Sequence, residues 1–445
     1  MDAPHLPAPL KHSGRVVFGN AGLNLLGNLV PIAVAALAIP YLIQEIGTER
    51  FGFFSLAWVL LGYFSVFDLG LGRALTKFIA ERDGDGKPQA LADLIVTALW
   101  LVAGVSVLAA LLIGMVWPWR REIAFARSLG GSAEVSWSLL WVMLGTPFTV
   151  LATALRGILE GHQDFRRVGM LRAAGGVLLM AVPCMLATWR RDLPSAVGGL
   201  ALARIVLFFL HVQQVRAYAK GPRGRFDAQW IRPLFRFGGW LTVSNVVGPV
   251  IVYIDRFVVA GAISASALTY YVTPFEIVSR MLIVPQALTG ALFPALSGLQ
   301  VNDPARSARL LLRGLGVCAL IVIPLSLIGA MLSGWVLRVW LGPDFEAHST
   351  QVMQILLLGF AFNAIAHLPF TGLQSLGATR ISALLHLIEL PLYIMVLVLM
   401  VHRWQLLGAA WAWTLRGALD SICLGLLYQR ELSRAKLATM VLVPI

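Results

Sequence analysis

The sequence predicts an all-α polytopic membrane protein: twelve transmembrane helices in two lobes of six, with both termini in the cytoplasm. Three observations predict it. Hydrophobic residues make up 58% of the 445-residue chain and charged residues 13%, against roughly half and a quarter in soluble domains, so the surplus apolar surface has to face lipid. The apolar runs are continuous for about 20 residues, enough to cross a bilayer as a helix, whereas barrel strands alternate in segments of about 10. The basic residues recur in short clusters between those runs, which is the charge bias of cytoplasmic loops. The net charge of +13 is therefore a signature of topology and not of a nucleic-acid partner.

The spans fall near 16–43, 51–73, 91–117, 135–159, 168–189, 195–217, 234–261, 266–294, 310–337, 350–375, 381–402 and 406–429. An even number puts both ends on one side. With the N-terminus inside, about 23 of the 35 Lys and Arg lie in cytoplasmic segments and about 8 outside. The predicted layout is a cytoplasmic N-terminus 1–15, a first lobe 16–218, a basic linker 219–233, a second lobe 234–430 and a cytoplasmic tail 431–445.

Taken in order, the first span follows Lys11 and Arg15 and carries Asn20, Asn24 and Asn28 on one helical face. Those asparagines either meet sugar hydroxyls in a cavity or join the helix to a neighbour. Ala36-Leu37-Ala38 resembles a signal-peptide cleavage site, but the run is too long and too polar, so an uncleaved helix is expected. The second span ends in Asp68, Gly70, Gly72, Arg73 and Lys77. A carboxylate at the end of a spanning helix is costly and marks a candidate site; here it is expected to act as a latch that holds Arg73 or a helix N-terminus. Spans 3 to 6 place Trp117, Trp119, Trp137 and Trp189 at external ends, as an aromatic belt would. The linker and its flanks carry Arg216, Lys220, Arg223, Arg225, Arg232 and Arg236.

Arginines inside the spans are Arg204, Arg256, Arg280 and Arg416. Each either lines a cationic cavity, where a guanidinium holds phosphate through two donors, or is paired and structural. Arg280 follows Glu276 by four residues and Asp420 follows Arg416 by four, so each pair shares a helix face and could neutralise itself. Asp68, Asp255, Glu276, Glu389 and Asp420 are candidates for H+ or Na+ coupling; Glu389, just before Pro391, has no basic partner on its own helix and leads that group. His211, His367 and His386 read as satisfied buried histidines, and Trp411 and Trp413 as core rings or sugar platforms. Prolines inside spans, among them Pro31, Pro147, Pro183, Pro249, Pro274, Pro285 and Pro324, predict kinks. Cys184, Cys318 and Cys423 lie far apart in apolar runs and carry no metal-ligand or disulfide spacing. No phosphate-binding GxxxxGK[ST] loop, HExxH, GxSxG or CxxC occurs, so no cofactor, no metal and no enzymatic activity are expected.

The two halves are weakly alike. Phe18-Gly19-Asn20 matches Phe237-Gly238-Gly239, Asn28 with Pro31 matches Asn245 with Pro249, Arg156-Gly157-Ile158-Leu159 matches Thr371-Gly372-Leu373-Gln374, and Gly198-Gly199 matches Gly408-Ala409, all in the same order. Six spans per half make this a parallel repeat, and such repeats point to a transporter with its site between the lobes.

Asn28, Pro40, Gly47, Glu49, Phe51-Gly52, Tyr63, the run Asp68-Leu69-Gly70-Leu71-Gly72, Ala74 and Ile79-Ala80-Glu81 resemble the opening of bacterial lipid-linked oligosaccharide flippases, the polysaccharide-transporter branch of the MATE-like MOP superfamily. Tyr253, Asp255-Arg256 and Tyr270-Tyr271 resemble its seventh and eighth helices. The layout matches over most of the chain, the specific motifs only in helices 1, 2 and 7. The resemblance implies a V-shaped MATE-like pair of lobes that alternates between facing inward and outward in the bacterial cytoplasmic membrane. Its substrate would be an oligosaccharide on undecaprenyl pyrophosphate. The partners implied are that lipid-linked glycan and membrane lipids, with a polysaccharide polymerase or other assembly proteins beside them. Two other readings stay open: an ion-coupled exporter of small cations, whose cavity should be mainly acidic, and a non-transporting scaffold of a polysaccharide-assembly complex.

Overall fold

The computed structural model describes residues 31, 33–63, 68–82, 88–115, 132–218, 222–302 and 304–441. Among them the chain is helical, with no strands. A short apolar helix, α1 (Ala33–Ile46), is followed by α2 (Thr48–Tyr63), α3 (Leu71–Arg82), α4 (Pro88–Met115), α5 (Ser132–Gly161), α6 (Phe165–Arg190) and α7 (Leu193–Val215). After the linker come α8 (Ile231–Ala262), α9 (Ala265–Arg280), α10 (Ile283–Asn302), α11 (Pro304–Leu341) and α12 (Pro343–Ser375). The last helical stretch, Thr379–Val441, is broken at Gln405, whose φ of 51° and ψ of −125° end α13 and start α14. Among the described residues seven helices are long and apolar enough to cross a membrane, with the stretch Arg380–Arg434 counted as one. Their exposed side chains agree: Leu111 and Met115 on α4, Leu320, Leu327 and Met331 on α11, and Leu419, Ile422 and Leu426 on α14 are all large, apolar and uncovered. A surface of that kind is stable only in lipid.

Two of the predicted spans are interrupted. Within the 51–73 span the described helices are Thr48–Tyr63 and Leu71–Arg82, and the second starts anew because Leu69 and Gly70 before it take left-handed conformations with φ of 52° and 70°. The 266–294 span breaks at Met281 and Leu282, next to Pro285, which has no N–H for the carbonyl four residues earlier. In both places the run is apolar enough to read as one helix, and the break lies in local backbone chemistry.

The described apolar residues gather into two large cores and one small cluster. One core is built from α1 to α7 with Leu234 of α8, the other mainly from α8 to α14, and the small cluster joins Leu159, Val168 and Leu171. Within the first lobe α7 packs on α5 and α6, while α3 packs on α5. The α3–α5 contact is made backbone to backbone: a Cβ at Gly157 would come 2.4 Å from the Gly72 carbonyl oxygen. In each lobe the last helix opens on a glycine pressed against the helix before it; a Cβ at Gly199 would sit 2.7 Å from Pro183 Cα, and one at Gly408 2.0 Å from the Met400 oxygen.

The lobes meet mainly through α2 with α9 and α3 with α8. At the end away from the linker the contact is tight. A Cβ at Gly52 would fall 1.8 Å from the Ala265 carbonyl oxygen. Thr269 Oγ1 donates to the Thr48 oxygen, and Trp340 Nε1 to the Ala36 oxygen at 2.6 Å. Leu56 of α2 lies in the core of the second lobe, and Trp340 packs against that of the first. At the same end a bidentate pair, Arg50 to Glu134 with both contacts at 2.8 Å, ties α2 to α5.

At the linker end the α5–α6 turn is held by Asp164. Its carboxylate accepts from the Arg167 amide at 3.1 Å, the Arg167 guanidinium at 2.7 Å and the Tyr218 hydroxyl at 2.7 Å. Burial works to raise this carboxyl, but the Tyr218 and Arg167 donors outweigh it and hold it below the usual carboxylate range.

Candidate functional site

Two charge clusters lie inside the second lobe. The first joins α8 to α9. Asp255 is fully buried and Arg256 is 3% exposed. Asp255 Oδ2 accepts the Tyr271 hydroxyl at 2.6 Å. Arg256 donates to Glu276 Oε1 at 2.8 Å and lies over the rings of Tyr253 at 4.9 Å and Phe275 at 5.4 Å. Arg280, half-exposed, approaches the other Glu276 oxygen at 3.6 Å. Two carboxylates thus meet two guanidiniums, which is what permits charge at this depth. Glu276, Arg256 and Arg280 also line a small gap of about 40 Å³ against Phe51, Ser55 and Trp58 of α2, so this cluster faces the seam between the lobes.

The second cluster joins α13 to α14. Arg416 Nη1 is 3.6 Å from Glu389 Oε1, and His386 Nε2 is 3.5 Å from Asp420 Oδ1. Arg416 also lies 5.7 Å from the Tyr393 ring centre. These contacts are longer than hydrogen bonds. Both Glu389 oxygens, Arg416 Nε and Asp420 Oδ1 are buried without a hydrogen-bond partner among the described residues. Such groups are costly unless something else satisfies them, and the space beside them offers it. A half-open cavity of about 350 Å³ is lined by Arg416, Asp420, His386, His367, Asn363, Gln286 and the rings of Phe275 and Trp413. Donor atoms of His386, Glu389 and Asp420 lie within 4.8 Å of one another, a set able to hold a cation. Arg416 supplies positive charge at the same place and competes with one.

The first lobe is different. Asp68 sits on the turn before α3 and caps that helix, its oxygens accepting from the Gly70 and Gly72 amides at 2.9 Å each, with Thr153 Oγ1 at 3.3 Å. Of the two latch partners expected for it, it holds the helix N-terminus. Arg73, exposed, makes no ion pair with it. Arg204 on α7 is mostly buried, with Nε unpartnered among the described residues; its guanidinium lies beside Gly62 of α2. Asn20, Asn24 and Asn28 lie outside the described residues.

The structure therefore brings together Asp255, Arg256, Glu276 and Arg280, and separately Glu389, Arg416 and Asp420; Asp68, Arg73 and Arg204 belong to neither group. The Glu276–Arg280 pairing along one helix is present. Arg416 and Asp420, also four apart, instead take partners across the helix pair. Spacing along a helix cannot reveal those partners, because they come from α13. His386 was read as a satisfied buried histidine and is the partner of Asp420. Asn363 and Gln286 of the cavity wall were not singled out, since polar amides in apolar helices carry no pattern of their own. His211 and His367 each place Nδ1 within 2.8 Å of the carbonyl oxygen four residues back, on their own helix.

With this geometry in hand, comparison with known proteins is direct. The profile of the family described as "Polysaccharide biosynthesis protein" matches residues 17–300. A "Putative O-antigen transporter" of Shigella flexneri is 32% identical over 420 residues, 94% of this chain and 99% of that protein. The "Probable flippase AglR" of Haloferax volcanii is 24% identical over 83% of this chain and 72% of its own length. Among solved structures, an inward-facing multidrug-resistance MATE-family transporter of the MOP superfamily superposes with a TM-score of 0.75 over 93% of this chain and 99% of its own, at 14% identity. The lipid II flippase MurJ in an inward closed conformation gives 0.69 over 96% and 91%, also at 14% identity. At such low identity these two likenesses speak for the fold.

Proposed function

We propose, from the premise that this chain belongs to the polysaccharide biosynthesis protein family, that it is a flippase: it moves a polyprenyl-pyrophosphate-linked oligosaccharide across the bacterial cytoplasmic membrane by alternating access, for surface polysaccharide synthesis. The reading includes twelve crossings, both termini in the cytoplasm, and no covalent chemistry on the substrate. The observation that carries it is Arg416, a buried guanidinium with an unpartnered donor on the wall of a half-open cavity. The Shigella relative supports the substrate class by its description.

The geometry suggests how binding and coupling are linked. A diphosphate in the cavity takes Arg416 by two donors. The Arg416–Glu389 contact of 3.6 Å is loose enough to be exchanged. Glu389 then loses its counter-charge and takes up H+ or Na+, with Asp420 and His386 beside it. Anion and coupling cation thus enter by exchanging partners. Arg280 at the seam offers a second phosphate contact, while Arg256 positions Glu276. A polymerase or other assembly protein would receive the glycan on the far side.

Asp420 on the cavity wall, with Glu389 close to it, also suits an exporter of small cations, and one assay separates the two readings. In vesicles holding the purified protein, a fluorescent oligosaccharide on polyprenyl pyrophosphate becomes accessible across the bilayer faster than in empty vesicles, and Arg416→Gln lowers that rate. A wild-type rate equal to that of empty vesicles, together with export of a lipophilic cation, would sink the flippase reading.

A further inference from the structure

The linker between the lobes is fastened to the first lobe and leaves a basic pocket where the second lobe begins. Residues 222–230 run along α4: Gln89 Nε2 donates to the Arg223 oxygen at 3.1 Å, the Arg225 amide to Asp93 at 2.6 Å, and the Asp227 amide to Thr97 Oγ1 at 2.9 Å. A Cβ at Gly224 would lie 2.2 Å from the Ala92 oxygen, so the strand of linker lies flat on the helix. Arg82 closes the arrangement, with its guanidinium 5.4 Å from the Phe78 ring and 4.7 Å from the Trp230 ring. The first turn of α8 is seated on the same lobe, since Leu234 is buried in the first lobe's core and Phe235 packs against it.

A pocket of about 700 Å³ opens beside the start of α8, lined by Lys77 and Phe78 of α3, Gln229 of the linker, and Arg232, Pro233 and Arg236 of α8. Three cations and an amide surround a small apolar floor, and no carboxylate is among the described residues that line it. Lys77 has Glu81 at 3.7 Å, both half-exposed. Arg232 and Arg236 are exposed and make no ion pair among the described residues. Two guanidiniums with no ion pair among the described residues, beside an ammonium, are the chemistry that holds a phosphate group.

We propose that this pocket binds a phosphate group, from an anionic phospholipid or from a diphosphate, and that the bound phosphate fastens the start of α8 to α3 by joining Lys77 to Arg232 and Arg236. The pocket is separate from the α13–α14 cavity and does not depend on what the chain carries. A group that bridges two helices binds best in the arrangement that brings its ligands together, so occupancy favours the arrangement in which the first turns of α8 stay seated on α3.

The test is hydrogen exchange of the intact protein in nanodiscs, followed over residues 228–236. Three samples are compared: phosphatidylcholine alone, phosphatidylcholine with phosphatidylglycerol, and phosphatidylcholine with pyrophosphate in the buffer. Slower exchange with phosphatidylglycerol assigns the site to a lipid headgroup; slower exchange with pyrophosphate alone assigns it to a soluble or substrate-borne diphosphate. In either case Arg232→Gln with Arg236→Gln should weaken the protecting anion about tenfold or more, and added salt should weaken it in wild type. Arg309→Gln with Arg313→Gln removes the same charge elsewhere and should leave protection intact. No protection from either anion, or equal protection in both double variants, overturns the proposal.

Discussion

The two lobes share a helical plan but bury charge in different ways. In the first, Asp68 is absorbed into a helix cap and Arg204 stands away from any described carboxylate. In the second, Asp255, Arg256, Glu276 and Arg280 form one cluster and His386, Glu389, Arg416 and Asp420 another. The seam cluster holds two contacts of hydrogen-bond length, Arg256 to Glu276 and Tyr271 to Asp255, with only a small gap beside it. The ion pairs of the α13–α14 cluster are all longer, and it opens on a cavity. A closed network fixes structure; an open one is free to change partners. The proposed function accordingly places binding and coupling at the loose cluster of the second lobe.

Breaking that contrast calls first for paired variants. Arg416→Gln should lower glycan export by about tenfold or more, the scale of one lost charge-assisted contact in a dry site, while Arg204→Gln lowers it by less than about threefold on the same scale. Both are read as surface polysaccharide per inserted protein in cells that depend on this chain. Equal losses would erase the distinction between the lobes. Next, Tyr271→Phe removes the hydroxyl from buried Asp255 and should cost about 1–3 kcal/mol of stability. A thermal melt in detergent checks it, and export by the protein that remains folded should be nearly unchanged. The smallest effect belongs to the first lobe. Because the Asp164 carboxyl is held below its usual range, its contribution is complete above about pH 4 and is lost as pH falls through the lowered value. Asp164→Asn should therefore melt slightly lower than wild type at neutral pH, by less than about 1 kcal/mol, and the gap should close in acid.

Much of this was legible from residue order alone. Helices stand at the positions that the long apolar runs mark, because hydrophobicity sustained over a bilayer's thickness leaves the backbone few other choices. The charged residues of the second lobe were visible for the same reason: each is expensive in lipid and so stands out. What stayed hidden was pairing between helices. Arg416 with Glu389, His386 with Asp420 and Tyr271 with Asp255 depend on rotation and crossing of separate helices, which no local spacing encodes. The break at Leu69 and Gly70 was hidden too, since an apolar run reads as continuous whatever its dihedral angles.

Gly52 carries a practical consequence. Its hydrogen lies against the Ala265 carbonyl oxygen, where even a single added methyl carbon has no room. The two halves can come fully together there only while that position stays bare. One alanine would act as a doorstop: no ionised group is touched, and yet the two halves can no longer meet as closely at that end. It gives an experimenter a way to alter the machine's timing while leaving its chemistry alone.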